Sequence, residues 1–147
     1  MNNKGFTLVE LIATIALLAV IAIISFVSIN EVINQSKVND CENLLSSIKS
    51  AAKEYVSDNR YNSNFDNDND KIENITSKTL IDNNYLSGNI VNPFDNNETI
   101  NAENIKIQIQ LKDDYTAKKV DLFKIKQMED GRIEENKLEC IKEQWIN

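Results

Sequence analysis

The chain has 147 residues, 41% of them hydrophobic, and a formal net charge of −7, enough apolar material for one modest core besides an oily N-terminal run. Its acidic balance disfavours nonspecific nucleic-acid binding, which needs clustered Lys and Arg against phosphates, so no nucleic-acid partner is expected. The lack of His removes the commonest general base and transition-metal ligand, two Cys cannot build a four-thiolate site, and the glycines Gly5, Gly88 and Gly131 are too scattered for a phosphate loop.

Between Glu10 and Glu31 lie twenty residues, Leu11 to Asn30, with no charge, Pro or Gly. As helix they reach about 30 Å, the thickness of a bilayer's hydrocarbon core. A buried globular helix is the alternative, but such helices usually show a polar stripe, and only Thr14, Ser25 and Ser28 interrupt this run. A cleaved secretory signal would need a basic leader and a shorter apolar core, and here Lys4 is the only leading cation. The reading is a membrane span. Glu10 stands at its threshold, where an unpaired carboxylate is costly, which makes it a functional candidate. Lys4 before the span and the acidic remainder after it predict the N-terminus on the cytoplasmic side.

Those residues also carry a resemblance. Met1-Asn2-Asn3-Lys4-Gly5 followed by Phe6-Thr7-Leu8-Val9-Glu10-Leu11-Ile12 is similar to the leader, cleavage site and mature start of type IV pilins and their relatives, the pseudopilins. The resemblance implies that a membrane-embedded prepilin peptidase cuts between Gly5 and Phe6 and methylates the new amine of Phe6. It further implies that in a filament the Glu10 carboxylate of one subunit pairs with the Phe6 ammonium of its neighbour. Many pilins carry a proline within the span that lets the helix soften; the one proline here is Pro93, so that feature does not carry over.

Past Asn30 nothing stops the helix. Val38, Cys41, Leu44, Leu45, Ile48, Ala51, Ala52, Tyr55 and Val56 recur at steps of three and four, with Lys37, Asp40, Asn43 and Lys53 opposite. One helix from Phe6 to Asn59 is expected, spanning or forming a filament core over 6–30 and amphipathic over 31–59, after a leader of 1–5. Two helices broken around Asn30 to Ser36 are the alternative. Residues 60–103 read as a connecting loop region with a short helix, and 104–147 as an antiparallel β region.

Asp66, Asp68 and Asp70 have the spacing of the first calcium ligands of an EF-hand, but Lys71 replaces the turn glycine and Ser77 the bidentate Glu, so a solvated loop is the reading. Thr76 can cap a helix from Ser77 to Asn84. The stretch Tyr85 to Asp95 resembles a loop of pseudopilins and some Gram-positive pilins, and in some pseudopilins this region binds calcium, which makes Asp95 and Glu98 weak metal candidates by resemblance; otherwise no metal and no cofactor is expected.

Ile105 to Lys112 alternates strictly and is the clearest strand. A second strand, Tyr115 to Lys126, changes apolar phase between Leu122 and Phe123, as a bulge would require. Asp130-Gly131 is a hairpin turn, and a last strand around Lys137 to Ile141 would aim Cys140 at the helix stripe that holds Cys41. Outside the membrane a Cys41–Cys140 disulfide is permitted and is the expectation; two independent thiols are the alternative. The architecture is therefore α+β and pilin-like, a long N-terminal helix packed against a small antiparallel sheet of three to four strands.

Three functions fit. The first is a structural subunit of a type IV pilus, a filament of adhesion or motility, whose partners are prepilin peptidase, other copies of itself, minor pilins, the membrane assembly platform and the bilayer before assembly. The second is a pseudopilin of a secretion or DNA-uptake apparatus. The third, a signal-anchored binding domain or enzyme, should show a pocket with convergent polar groups, and no nucleophile–base pair stands out; the chain is not expected to be an enzyme.

Overall fold

A single helix, α1, runs from Leu8 to Asn59. The computed structural model describes residues 7–61 and 71–145, the side chains of 26–28 apart. The chain divides into two compact units, Met1–Lys37 and Val38–Asn147. In the first, every described side chain from Leu8 to Ser25 is exposed, and the two hydroxyls there bond back to the helix: Thr14 Oγ1 donates to the Leu11 carbonyl and Ser25 Oγ to that of Ile21, each at 2.8 Å.

The second unit is built on the amphipathic part of α1. Cys41, Ile48, Ala51, Ala52 and Val56 are buried, and Leu44, Leu45 and Tyr55 pack beside them. The expected stripe is the spine of the core. Against it lies a sheet of four antiparallel strands in the order β1-β4-β5-β6, with β1 Ile72–Thr76, β4 Ile105–Leu111, β5 Ala117–Gln127 and β6 Ile133–Lys137. Ile105, Ile107, Ile109 and Leu111 of β4 and Val120 and Leu122 of β5 line its inner face. The α+β class stands.

Four local expectations are corrected. Residues 60–103, read as connecting loop with a short helix, contain β1 and also a two-stranded sheet, β2 Ile90–Asn92 with β3 Asp95–Ile100. Ile72-Glu73-Asn74-Ile75-Thr76 has a weak pattern of its own; it is a strand because β4 offers an open edge on which Ile75 falls opposite Ile107 and is buried. The short helix, α2, is there, capped by Thr76 in a reciprocal box with Thr79, but it ends at Asp82 and not at Asn84, which has left-handed φ of 64°.

No bulge separates Leu122 from Phe123, which pair in regular register with Ile107 and Lys106. The apolar phase changes there because Phe123 and Ile125 sit on the outer face, half-buried, where Lys106 of β4 and Glu135 of β6 join in an ion pair at 2.9 Å. The register shift falls instead between Gln110 and Leu111, beside the turn where Tyr115 takes φ of 58°. The last strand, expected around Lys137 to Ile141, ends at Lys137. Leu138 N–H donates to the Leu122 carbonyl at 2.8 Å, and then the Gln144 side chain turns the chain out of the ladder, accepting from Glu139 N–H at 2.7 Å and donating to the Lys137 carbonyl at 3.1 Å. Cys140 lies in the resulting bend, ahead of the short helix α3 Lys142–Trp145. The acidic residues Asp66, Asp68 and Asp70 lie outside the described residues.

Candidate functional site

The first described residues close on one another through three hydrogen bonds. Thr7 precedes α1 and Glu10 is its third helical residue. The Glu10 carboxylate accepts from Thr7 N–H at 2.9 Å and from Thr7 Oγ1 at 2.8 Å, while Glu10 N–H donates to Thr7 Oγ1 at 3.3 Å. This is a capping box, which satisfies donors that every helix start leaves open and places a negative charge at the positive end of the helix dipole. Glu10 is exposed, so its carboxylate has local partners and also an open side. Gly5 and Phe6, the expected cleavage and methylation residues, lie outside the described residues.

Beyond Glu10 the helix is bare. Eleven large apolar side chains from Leu8 to Ile24 are between 52% and 75% exposed, a row that water would not tolerate, since full burial of each is worth about 1.5–3 kcal/mol. Length and composition suit α1 to crossing a membrane. No side chain in the described part of this row carries a charge after Glu10, so the same surface serves in lipid or against other helices of its kind.

In the second unit, Cys41 and Cys140 form a disulfide, with Cα atoms 5.7 Å apart and a sequence separation of 99. The helix presents Cys41 fully buried on its inner stripe, and the bend after Leu138 brings Cys140 to it. The pair expected from the sequence is bonded, although Cys140 reaches it from a bend and not from a strand.

Asp95 and Glu98 serve local structure. Asp95 Oδ1 accepts from Asn97 N–H at 3.0 Å within β3, where its register with β2 shifts, and Glu98 Oε2 accepts from Asn92 Nδ2 at 2.7 Å. Among the described residues no three His, Cys, Asp or Glu side chains converge as an ion would require. Asn92, to which sequence reasoning gave no role, is fully buried: its Nδ2 also donates to the Trp145 carbonyl at 2.7 Å and its Oδ1 accepts from Phe94 N–H at 2.9 Å. Nearby, Lys124 Nζ donates to the Gln144 carbonyl at 2.7 Å; burial pushes this ammonium below its ordinary pKa, against the pull of Glu98. These contacts fasten the C-terminal segment from both sides. Thr7 was the other residue without an assigned role, and its signal, a Thr three residues before a Glu at the edge of an apolar run, was legible in the sequence.

The family described as the prokaryotic N-terminal methylation motif matches residues 1–26. That motif is the type IV pilin or prepilin-like signal, and it covers the leader, the Thr7–Glu10 box and most of the bare apolar row. Over those residues it supports a type IV pilin-like or pseudopilin protein. No curated protein and no solved structure matches the chain.

Proposed function

We propose that this chain is a structural subunit of a type IV pilus, held in the cytoplasmic membrane with its N-terminus inside, cleaved after Gly5 and methylated on Phe6 by prepilin peptidase, then polymerised with copies of itself and minor pilins at a membrane assembly platform into an extracellular filament. The observation that carries this reading is the methylation motif joined to a bare apolar helix whose first carboxylate is already held in place.

The chemistry follows from charge. Hydrolysis of the Gly5–Phe6 bond creates an ammonium at Phe6, close to the lipid boundary. Until that cation meets a partner, Thr7 supplies the Glu10 carboxylate with two donors, which lowers the cost of keeping it ionised at the edge of a low-dielectric layer. In the filament the open side of Glu10 faces the Phe6 ammonium of a neighbouring copy. Opposite charges about 4 Å apart gain about 4 kcal/mol at an effective dielectric near 20, less what desolvation costs, so the pair sets axial register while apolar helix packing supplies most of the attraction. A disulfide in the second unit suits a domain that folds outside the reducing cytoplasm.

The test is the mass of the N-terminal peptide from sheared surface fibres. A peptide beginning at Phe6 and heavier by one methyl group supports the reading; a peptide still beginning at Met1 refutes it.

A further inference from the structure

Three stretches of the chain have the Asn-x-Ser/Thr form that N-linked glycan transfer requires: Asn34-Gln35-Ser36, Asn74-Ile75-Thr76 and Asn97-Glu98-Thr99. A transferase has to bend the acceptor backbone into its own site. It also has to free the asparagine amide from other bonds, because resonance with the carbonyl makes the nitrogen a poor nucleophile until that conjugation is relaxed. The pattern arises easily in a chain rich in Asn, so the surroundings decide, and they differ among the three.

Asn34 lies inside α1, where backbone N–H and C=O groups are committed to the helix. Asn74 lies in β1 opposite Gln108 of β4, and its Oδ1 accepts from Gln108 Nε2 at 3.5 Å. The hydroxyl of the same stretch, on Thr76, caps α2 and accepts from Thr79 N–H at 3.4 Å. Using Asn34 would mean breaking a helix; using Asn74 would mean stripping an edge strand together with a helix cap.

Asn97 differs in each respect. In the β2–β3 hairpin Asp95 pairs with Asn92 and Thr99 with Val91, so Asn96, Asn97 and Glu98 stand in β3 with no partner across the ladder. Glu98 turns inward and accepts from the buried Asn92, which leaves its two neighbours, Asn97 and Thr99, side by side on the opposite face and exposed. Among the described residues no bond reaches the Asn97 side-chain amide or the Thr99 hydroxyl. Asp95, also exposed, stands two residues ahead of Asn97 and gives a transferase a fixed charge to hold; the matching places ahead of Asn34 and Asn74 carry Val32 and Ile72.

We propose that Asn97 is an N-glycosylation site, taking its sugar from a polyprenyl diphosphate-linked oligosaccharide on the outer side of the membrane. The inference rests on the part of the reading above that puts the second unit outside the cytoplasm, and it adds a covalent modification to that unit. In the transfer, Asn97 Nδ2 forms a bond to the anomeric carbon of the sugar. The bond from that carbon to the lipid diphosphate breaks, the diphosphate leaves with the electron pair, and one amide proton passes to a base of the transferase. The Thr99 hydroxyl supplies the contact by which the sequon is read. The unpaired segment lets the chain bend there without opening the hairpin's two flanking pairs.

The test uses the full-length chain isolated from the membranes and surface fibres of the cells that make it. Trypsin separates the three stretches into a peptide ending at Lys37 and the peptides 72–78 and 79–106. Peptide 79–106 should be heavier by a whole number of sugar residues, with its fragments placing them on Asn97, while the other two carry none. Asn97→Gln and Thr99→Ala, both at exposed positions, should each remove the sugar. An unmodified 79–106 in the parent chain, a sugar on Asn34 or Asn74 in its place, or a sugar that survives either substitution would overturn the proposal. The N-terminal peptide of the same digest judges the subunit reading separately. A chain that begins at Phe6 and carries no sugar refutes the modification alone, whereas a chain that begins at Met1 with sugar on Asn97 refutes the subunit reading and leaves the site standing.

Discussion

Replacing both Cys41 and Cys140 with alanine isolates what the staple contributes. The bonded residues are 99 apart in sequence, and on the chain-entropy account a loop of that length restricts the unfolded ensemble by about 4.7 kcal/mol at 25 °C. The folded state has little to lose by comparison. Without the sulfur bond the C-terminal segment still has Leu138 N–H on the Leu122 carbonyl, Trp145 Nε1 on the Glu139 carbonyl at 2.8 Å, Asn92 on the Trp145 carbonyl and Lys124 on that of Gln144. Trp145 itself is 1% exposed and is the chain's only tryptophan, so its fluorescence reports this segment directly. In detergent, urea unfolding of the double variant should retain the native emission at zero denaturant. Its midpoint should fall by about 2 M, taking a slope near 2 kcal/mol per M. The tryptophan and far-ultraviolet transitions should coincide. A midpoint within about 0.3 M of the parent would refute the entropic reasoning. A tryptophan already exposed before the main transition would show that the bond, and not the surrounding contacts, holds the segment down.

Glu10→Ala should leave the precursor cleaved yet sharply reduce filaments, and abundant filaments of normal length from that variant would count against the charge pairing. Asn92→Ala removes the partner of the Phe94 amide, the Trp145 carbonyl and Glu98, and should lower stability by about 2–4 kcal/mol in the same urea assay; a loss below about 1 kcal/mol would mean that water replaces those bonds. Ser77 is fully buried and its hydroxyl has no partner, so Ser77→Ala should be neutral or stabilising by up to about 1 kcal/mol, and clear destabilisation would reveal a bond that the structure does not contain. The Thr116 hydroxyl and amide, with smaller help from Lys112 and Arg60, hold the Asp114 carboxyl below its ordinary pKa. A group depressed in the folded state stabilises above its unfolded value, about 3.9, and loses that contribution as pH falls through the folded value. The stability gap between the parent and Asp114→Asn should therefore be present at neutral pH and close on acidification below about 4; a gap that widens there would reverse the assignment.

The N-terminal half was legible because its signals are local. An uncharged run long enough to cross a bilayer, a single acid at its threshold and a Lys-Gly leader need no tertiary partner to be read, and the stripe from Val38 to Val56 declares a helix face through spacing alone. The clean alternation of Ile105 to Leu111 declared β4 in the same way. Where the reading failed, the deciding interaction lay far away in sequence. β1 exists because β4 offers it an edge, Phe123 sits on the outer face in regular register, and the chain leaves β6 at Lys137 because Gln144 seizes the carbonyl and amide beyond it.

By itself, then, the sequence determined an apolar rod with a lone acid at its start, an amphipathic continuation and two cysteines able to meet outside the membrane. Only the tertiary structure decided that the meeting takes place from a bend, that Asn92 ties the β2–β3 hairpin to Trp145, and that β1 pairs along the edge of β4. The reason is physical: periodicity and capping are written within a few residues, whereas strand pairing, register and buried polar bonds depend on which distant backbone arrives opposite.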